Sequence, residues 1–391
     1  EVLGDGGVGA GVDLALEVRQ FIAGIVCLRM VFRVAGHLDL EPVAGRLADE
    51  SHQLVCIPEF STGCQARRQI AAQRLVWRAQ DAPSATTRVR ILTINDFHGA
   101  LAAGMRIGVR PAGGAAVLAA YLRAARRGRE SATIIAHAGD HVGASPAISA
   151  LLQDEPAMAF LNQLGNSDCT QREPWHTRCN LVGTLGNHEF DEGRAELLRL
   201  IYGGTHERGP FLEHPYSGAN FAHVSANVFD ASVGEYLLPP YTIKEVAGVR
   251  IGFIGAVLRQ TPSVVPAQAI VGLQFLDEAR AINAQVAALK QRGVRSIVVL
   301  LHQGGFQKLA PRAETADAPL LEGADINEII RQLDDEVDVI VSGHSHSYTN
   351  VRVANANGKS ILITQAFFSG SAYGDIELQI DERSGEVVAT S

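Results

Sequence analysis

The chain has 391 residues and a formal net charge of -8, with 34 Lys and Arg against 42 Asp and Glu. Its length allows either several domains or one large α/β unit, and its hydrophobic share of 47% is that of a protein with a sizeable core. The acidic balance argues against a protein that coats nucleic acid, so we expect no nucleic-acid partner. It permits a small phosphate compound as ligand, since a bound metal supplies positive charge locally.

Residues 1–87 show no sustained helix or strand period, and we interpret them as a poorly defined N-terminal extension. The apolar stretch from Phe21 to Val34 contains Arg29 and Arg33, so it is too short and too charged to be a membrane-spanning helix. It also lacks the small-residue cleavage site of a signal peptide. We therefore expect no transmembrane segment and place the functional domain in residues 88–391.

The first functional pattern follows a predicted buried strand over Arg88–Ile94. Asp96 and His98 come directly after this strand, with Phe97 between them. Because residues two apart in an extended segment point the same way, Asp96 and His98 can contact one ion.

A predicted helix over Gly113–Arg127 and a strand over Ala132–Ala136 complete a strand–helix–strand unit. Such a unit implies a right-handed crossover and parallel pairing, which places Asp140 beside Asp96 at one edge of the sheet. Gly139 allows the backbone to come close to an ion. The neighbouring His137 and His141 are expected to support the site or to be ordinary loop residues.

A predicted helix over Ala147–Leu164 leads to a polar segment between Cys169 and Cys179 and then to the turn that contains Asn187, His188 and Asp191. Asn187 can bind a metal through its amide oxygen, His188 can reach toward a substrate, and Asp191 can hold the imidazole tautomer. Glu189 is interpreted as a carboxylate at a helix start.

Two further loops carry histidines after apolar strands. A predicted helix over Asp277–Arg292 leads to a strand over Ser296–Leu301, which ends at His302. A strand over Val337–Val341 is followed by His344 and His346, a pair that core packing does not explain, since buried imidazoles need partners. Ligand sites in open α/β sheets gather at such strand ends.

Together these loops offer carboxylates, one amide and several imidazoles, a mixed set that suits Mn, Zn or Fe. The set exceeds the needs of one ion and divides over two divalent ions if Asp140 bridges them. Such a pair sits about 3.5–4 Å apart and clamps the attacking and leaving oxygens of a phosphate ester. His188 is then free to protonate the leaving oxygen.

Two cysteines flank the polar segment from Thr170 to Arg178. A bond between Cys169 and Cys179 would favour an exported protein, whereas two separate thiols in a surface insertion explain the pattern equally well. The sequence leaves this question open.

The five motifs, from Asn95–Gly99 to Gly343–His346, resemble those of the calcineurin-like metallophosphoesterases, in their 5′-nucleotidase and UDP-sugar hydrolase branch. The resemblance runs from about Arg88 to the end of the chain. It implies a four-layer α/β/β/α sandwich and a periplasmic or secreted location. It implies one ion held by Asp96, His98, Asp140 and His346, and another held by Asp140, Asn187, His302 and His344. It makes His188 and Asp191 the catalytic dyad.

The resemblance also implies a C-terminal substrate-specificity domain, which we expect to be absent from this chain because it ends soon after the last predicted strand. The leading hypothesis is hydrolysis of 5′-nucleotides to nucleoside and phosphate. The alternatives are a cyclic-nucleotide phosphodiesterase, a UDP-sugar hydrolase or general phosphomonoesterase of the same fold, and a truncated or exported domain that binds metal with little turnover. The oligomeric state stays open.

Overall fold

The computed structural model describes residues 85–107, 109–308, 315–318 and 320–391. The predicted extension, residues 1–87, lies almost wholly outside the described residues. The strands are β1 (Thr86–Ile94), β2 (Met105–Ile107), β3 (Arg110–Ala112), β4 (Thr133–His137), β5 (Leu181–Thr184), β6 (Ala222–Val224), β7 (Val228–Asp230), β8 (Glu235–Tyr236), β9 (Tyr241–Val246), β10 (Val249–Val257), β11 (Leu273–Phe275), β12 (Ser296–His302), β13 (Ala316–Asp317), β14 (Val337–Ser342), β15 (Tyr348–Ala354), β16 (Ser360–Ala366), β17 (Gly374–Asp381) and β18 (Val387–Thr390). The helices are α1 (Ala115–Arg126), α2 (Ala147–Ala150), α3 (Glu155–Asn162), α4 (Arg194–Tyr202), α5 (Glu278–Gln291) and α6 (Ala324–Gln332).

The first sheet has the strand order β18-β17-β1-β4-β5-β6. Its members β1, β4, β5 and β6 run parallel, and β17 pairs antiparallel with β1. Ile94 at the end of β1 lies opposite His137 at the end of β4. The predicted parallel unit is therefore confirmed, and the loops with Asp96 and Asp140 leave the sheet side by side.

The second sheet has the order β13-β15-β16-β14-β12-β10-β9. Its central strands β10, β12, β14 and β16 are parallel. Leu301 in β12 lies opposite Ser342 in β14, so His302 at the end of β12 and the loop that carries His344 also lie next to each other. The small strands β7, β8 and β11 form a separate three-stranded sheet.

Three apolar cores hold four layers together. Residues such as Ile91 of the first sheet and Phe253 of the second share a buried core between the two sheets. Helices α1 and α3 cover the outer face of the first sheet, and α5 and α6 cover that of the second. The predicted α/β/β/α sandwich is thus confirmed. Among the described residues, no helix has both the length and the apolar character needed to cross a membrane.

The prediction of one continuous helix over Ala147–Leu164 is wrong, because the helix is interrupted near its middle. The chain instead forms α2 and α3, separated by Gln153 and Asp154 with φ angles of 53° and 56°. A right-handed helix cannot continue through residues in the left-handed region, so the helix breaks there. The predicted start at Asp277 holds, because its side chain accepts the Arg280 N–H at 2.9 Å and caps α5.

The segment between α3 and β5 is closed by a disulfide between Cys169 and Cys179, which answers the question that the sequence left open. This disulfide loop also contacts the second sheet, since the Glu245 N–H of β9 donates to the Thr177 carbonyl at 2.8 Å. The loop therefore links the two sheets at their side.

Candidate metal centre

The predicted ligands all lie at the carboxyl ends of central strands, where His302 is the last residue of β12 and the others lie in the loops that follow their strands. Three strand ends of the first sheet and two of the second contribute them, and they meet above the core between the sheets. Most are buried, whereas His344 is half-buried and His346 is exposed. The seven predicted ligands are Asp96, His98, Asp140, Asn187, His302, His344 and His346.

Many of these ligand positions share an unusual backbone. Asp96, His98, Asp140, His344 and His346 have φ angles of 49°, 48°, 51°, 71° and 53°. Such left-handed conformations of non-glycine residues cost on the order of 1–3 kcal/mol each and persist only where surrounding contacts impose them. Here the His98 N–H donates to the Asp140 carbonyl at 3.0 Å, which joins two of the loops. Backbone strain is therefore concentrated at the candidate site.

One cluster of ligand atoms surrounds Asp96. His346 Nε2 lies 3.4 Å from Asp96 Oδ1 and 3.1 Å from His98 Nε2. His98 Nδ1 donates to the Gly143 carbonyl at 2.9 Å, because a carbonyl can only accept, so His98 Nε2 carries a lone pair toward the cluster. The Asp96 carboxylate is held in place by the His344 N–H at 2.9 Å. These atoms are oriented as ligands of one cation would be.

A second cluster surrounds Asp140. Its Oδ2 atom lies 3.0 Å from His302 Nε2 and 3.7 Å from His98 Nε2. His302 Nδ1 donates to the Ala138 carbonyl at 2.7 Å, so Nε2 is again the nitrogen left for a ligand role. One carboxylate oxygen thus lies between imidazoles of both sheets, which is the position that a bridging ligand requires.

Asn187 and His344 complete the arrangement from the two sheets. Asn187 Oδ1 lies 2.9 Å from His344 Nδ1. Asn187 is only 3% exposed, so its amide oxygen is withdrawn from water and directed to this contact. The structure therefore brings the predicted amide ligand to the same centre as the predicted histidines.

The electrostatics of the centre favour cations. Asp96 and Asp140 are 0% and 1% exposed, and within the described ranges no Lys or Arg lies within 4.0 Å of either carboxylate. Burial alone would lower the pKa of His302, but Asp140 and Asp96 raise it to about 10. Among the described residues, the basic side chains within 4.0 Å of these two buried carboxylates are all imidazoles, a set that fits divalent ions of the Mn, Zn or Fe type.

The His188 ring stands at the border of this centre. Its Nδ1 lies 2.8 Å from Asp191 Oδ2, and its ring is 5.1 Å from that of His98 in an edge-to-face arrangement. The hydrogen bond with Asp191 is the main cause that raises the pKa of His188, against the opposing effect of burial. The predicted pair of His188 and Asp191 is therefore present and within reach of the clustered ligands.

The sequence does not predict the structural role of Glu189, which is to join two of the ligand loops. Its buried carboxylate accepts hydrogen bonds from the backbone N–H groups of Asp140, His141 and Gly186 and contacts His141 Nδ1 at 3.0 Å. Burial would raise the pKa of Glu189, but the bond with His141 and these N–H groups lower it to about 2. Glu189 therefore ties the Asp140 loop to the Asn187 loop. The only feature of the sequence that points to this role is the position of Glu189 two residues after Asn187.

His137 and His141 do not join the ligand clusters. Both are buried, and their rings stack at 3.7 Å behind the Asp140 loop. This agrees with the expectation that they support the site.

The predicted close approach at Gly139 occurs, but toward protein atoms. A Cβ atom at Gly139 would lie 2.6 Å from the Gly186 nitrogen, and one at Gly186 would lie 2.1 Å from Asp140 Oδ1. Any side chain at these two positions would separate the Asp140 and Asn187 loops.

Comparison with known proteins agrees with this geometry. The sequence profile of the calcineurin-like phosphoesterases matches residues 89–348, a range that contains every predicted ligand. The chain belongs to the calcineurin-like phosphoesterase family. Endonuclease YhcR of Bacillus subtilis is 36% identical over 321 residues, covering 80% of this chain and 24% of that protein. Cell wall protein Lmo0130 of Listeria monocytogenes is 37% identical over 324 residues, covering 79% of this chain and 39% of that protein.

A solved structure shows the same architecture. The 5′-nucleotidase precursor from Thermus thermophilus matches with a TM-score of 0.55 and 26% identity, over 78% of this chain and 54% of that chain. The predicted family resemblance and fold are therefore confirmed. The chain spans between about a quarter and a half of the length of these relatives, at 24%, 39% and 54%.

Proposed function

We propose that this chain is a dinuclear metal-dependent phosphoesterase that hydrolyses 5′-nucleotides to nucleoside and phosphate. The observation that carries the proposal is the position of Asp140 Oδ2, between His98 Nε2 of the first sheet and His302 Nε2 of the second. Membership of the phosphoesterase family supports the reaction class. The likeness to a protein described as a 5′-nucleotidase precursor supports a nucleotide as substrate.

In this proposal each ion has its own ligand set, joined by Asp140. Asp96, His98, Asp140 and His346 would hold one ion, and Asp140, Asn187, His302 and His344 would hold the other. When bound, such ions offset the charge of a phosphate ester and align its attacking and leaving oxygens. The chain contributes a fixed set of lone pairs, because His98 and His302 each have their other nitrogen bound to a backbone carbonyl.

His188 has the proton-transfer role in this proposal. With Nδ1 bound to Asp191 Oδ2, its other nitrogen is left to donate a proton to the leaving oxygen of the ester. Asp191 holds the ring orientation and favours the protonated imidazole, which is the form that a general acid needs. The nucleoside then leaves as a neutral alcohol.

We also propose that the protein works outside the cytoplasm, in the periplasm or as a secreted protein. The Cys169–Cys179 disulfide supports this, since structural disulfides persist in oxidising compartments. The similarity to a protein named as a cell wall protein points the same way. Cell fractionation tests the location, and a count of free thiols at Cys169 and Cys179 tests the disulfide in the cell. A cytoplasmic protein in which both thiols are free would contradict the proposed location.

The function is tested by phosphate release from AMP, a cyclic nucleotide, UDP-glucose and an aryl phosphate, with added Mn and with a chelator. We expect chelator-sensitive release, highest with AMP. Release from the aryl phosphate alone would support the metal chemistry and remove the nucleotide assignment. Bound metal without phosphate release from any of these substrates would contradict the enzymatic function and support a binding protein.

A further inference from the structure

Lys244 in β9 is a buried lysine whose amine contacts a backbone carbonyl. It is 1% exposed, and its Nζ donates to the His176 carbonyl of the disulfide loop at 3.2 Å. In the part of the chain that the structure covers, no carboxylate lies within 4.0 Å of this amine, whereas each of the other lysines has one. Those are Lys290, Lys308 and Lys359, which are the only other lysines of the chain, with side chains 37%, 76% and 32% exposed.

Lys244 lines a cavity of about 270 Å³ that is separate from the metal centre. The cavity lies where Thr133 begins β4 and Asn180 precedes β5, at the opposite end of these strands from the Asp140 and Asn187 loops. None of the proposed metal ligands lines it. Its volume corresponds to roughly nine water molecules, which is room for a small organic molecule.

The lining favours a neutral, hydroxylated ligand over an anion. Five of the lining residues carry hydroxyl or amide side chains, and the acidic groups of the lining outnumber its cations. The hydroxyl and amide residues are Ser131, Thr133, Thr177, Asn166 and Asn180, the acidic residues are Glu130, Asp168 and Glu245, and the cations are Lys244 and Arg178. Because Arg178 lies 3.8 Å from Asp168, it adds little attraction for a phosphate or carboxylate.

The amine itself is suited to covalent chemistry. Burial lowers the pKa of Lys244 from its ordinary value of 10.5 to about 7. A desolvated lysine of this kind carries a neutral, nucleophilic nitrogen near neutral pH, as lysines that form Schiff bases do. Each of the other three lysines instead has a carboxylate within 4.0 Å and a side chain that is at least 32% exposed.

We propose that Lys244 is a modification site at which the ε-amine forms an imine with a small hydroxyaldehyde in this cavity. The nitrogen lone pair forms the new bond to the carbonyl carbon. The carbonyl oxygen leaves as water with the two amine hydrogens, so the step needs no oxidant or reductant. The site is independent of phosphoester hydrolysis, because it lies at the far end of the strands.

The test is to incubate the full chain at pH 7 with glyceraldehyde and cyanoborohydride, which traps the imine as a stable secondary amine. Peptide mass spectrometry then gives a labelling rate for each of the four lysines, with the N-terminal amine read separately. We expect Lys244 to be labelled at least about tenfold faster than the other three, since burial lowers the pKa of its amine to about 7 and leaves much of it unprotonated at the pH of the assay. Equal or slower labelling of Lys244 overturns the proposal, and slower labelling is the result that a purely structural lysine would give.

Two substitutions provide matched controls. Lys244→Arg keeps an N–H donor for the His176 carbonyl but cannot form an imine, so the fast label should disappear. Lys359→Arg should leave the rate at Lys244 unchanged; a lost label in this variant would contradict a site confined to Lys244. If Lys244→Arg fails to fold, the site-resolved rates of the wild-type chain decide the question alone.

Discussion

The loops of the two sheets contribute different chemistry to the candidate metal centre. The first sheet supplies both carboxylates, Asp96 and Asp140, together with an amide and one imidazole. The second sheet supplies imidazoles only, His302, His344 and His346, two of which reach the protein surface. The negative charge that attracts cations is therefore concentrated on the first sheet. The second sheet adds only imidazoles to the centre once the two sheets have packed together.

Asp140→Asn should have the largest effect, because it removes charge from the only residue proposed to hold both ions. We expect loss of both ions and a fall in kcat/KM of about 10⁴-fold, since bound metals supply several kcal/mol of transition-state stabilisation. Metal content per chain, measured by mass spectrometry, and kinetics with AMP provide the check. Asp277→Asn, in the distant cap of α5, is the matched control. Full metal content in Asp140→Asn would contradict the bridge.

His302→Ala tests the second sheet in the same way and should have a smaller effect. It removes one imidazole from the proposed ligand set of a single ion, so we expect about one ion per chain and a fall in kcat/KM of about 10³-fold. Metal titration followed by calorimetry distinguishes one site from two. Loss of both ions in this variant would mean that the two sheets do not divide the ions as proposed.

His188→Ala should separate catalysis from metal binding, because His188 lies at the border of the centre. We expect unchanged metal content and a fall in kcat of about 10²-fold with AMP, the usual contribution of a general acid. An aryl phosphate, whose leaving group needs no proton, should be affected much less. The exposed His214→Ala serves as control. An equal loss with both substrates would remove the proton-donor role.

Cys169→Ser should have the smallest effect on activity, since the disulfide loop lies away from the ligand loops. The free energy of unfolding should fall by about 2–3 kcal/mol, because the disulfide closes a loop of 10 residues. Denaturant unfolding measures this fall, and the rate with AMP should stay within about twofold. A large loss of activity at unchanged metal content would show that the loop belongs to the site.

Much of the fold follows from sequence pattern. Apolar strands alternate with helical segments, which predicts parallel strands and their order along the chain. The helix over Ala147–Leu164 was predicted wrongly because propensity favours a helix there, whereas Asp154 accepts the Gly143 N–H at 3.2 Å and holds a left-handed turn. That contact joins residues of separate elements, so no local pattern reports it.

The sequence by itself determined the chemical types of the site residues and their places at strand ends. These are local properties, because alternation along a strand decides which side chains face the core and where the strand stops. Only the tertiary structure decided that Asp140 lies between His98 and His302, that Glu189 ties two ligand loops, and that Lys244 is buried against a backbone carbonyl. These features depend on contacts between residues far apart in the chain. Packing of the two sheets, and not local propensity, sets those distances.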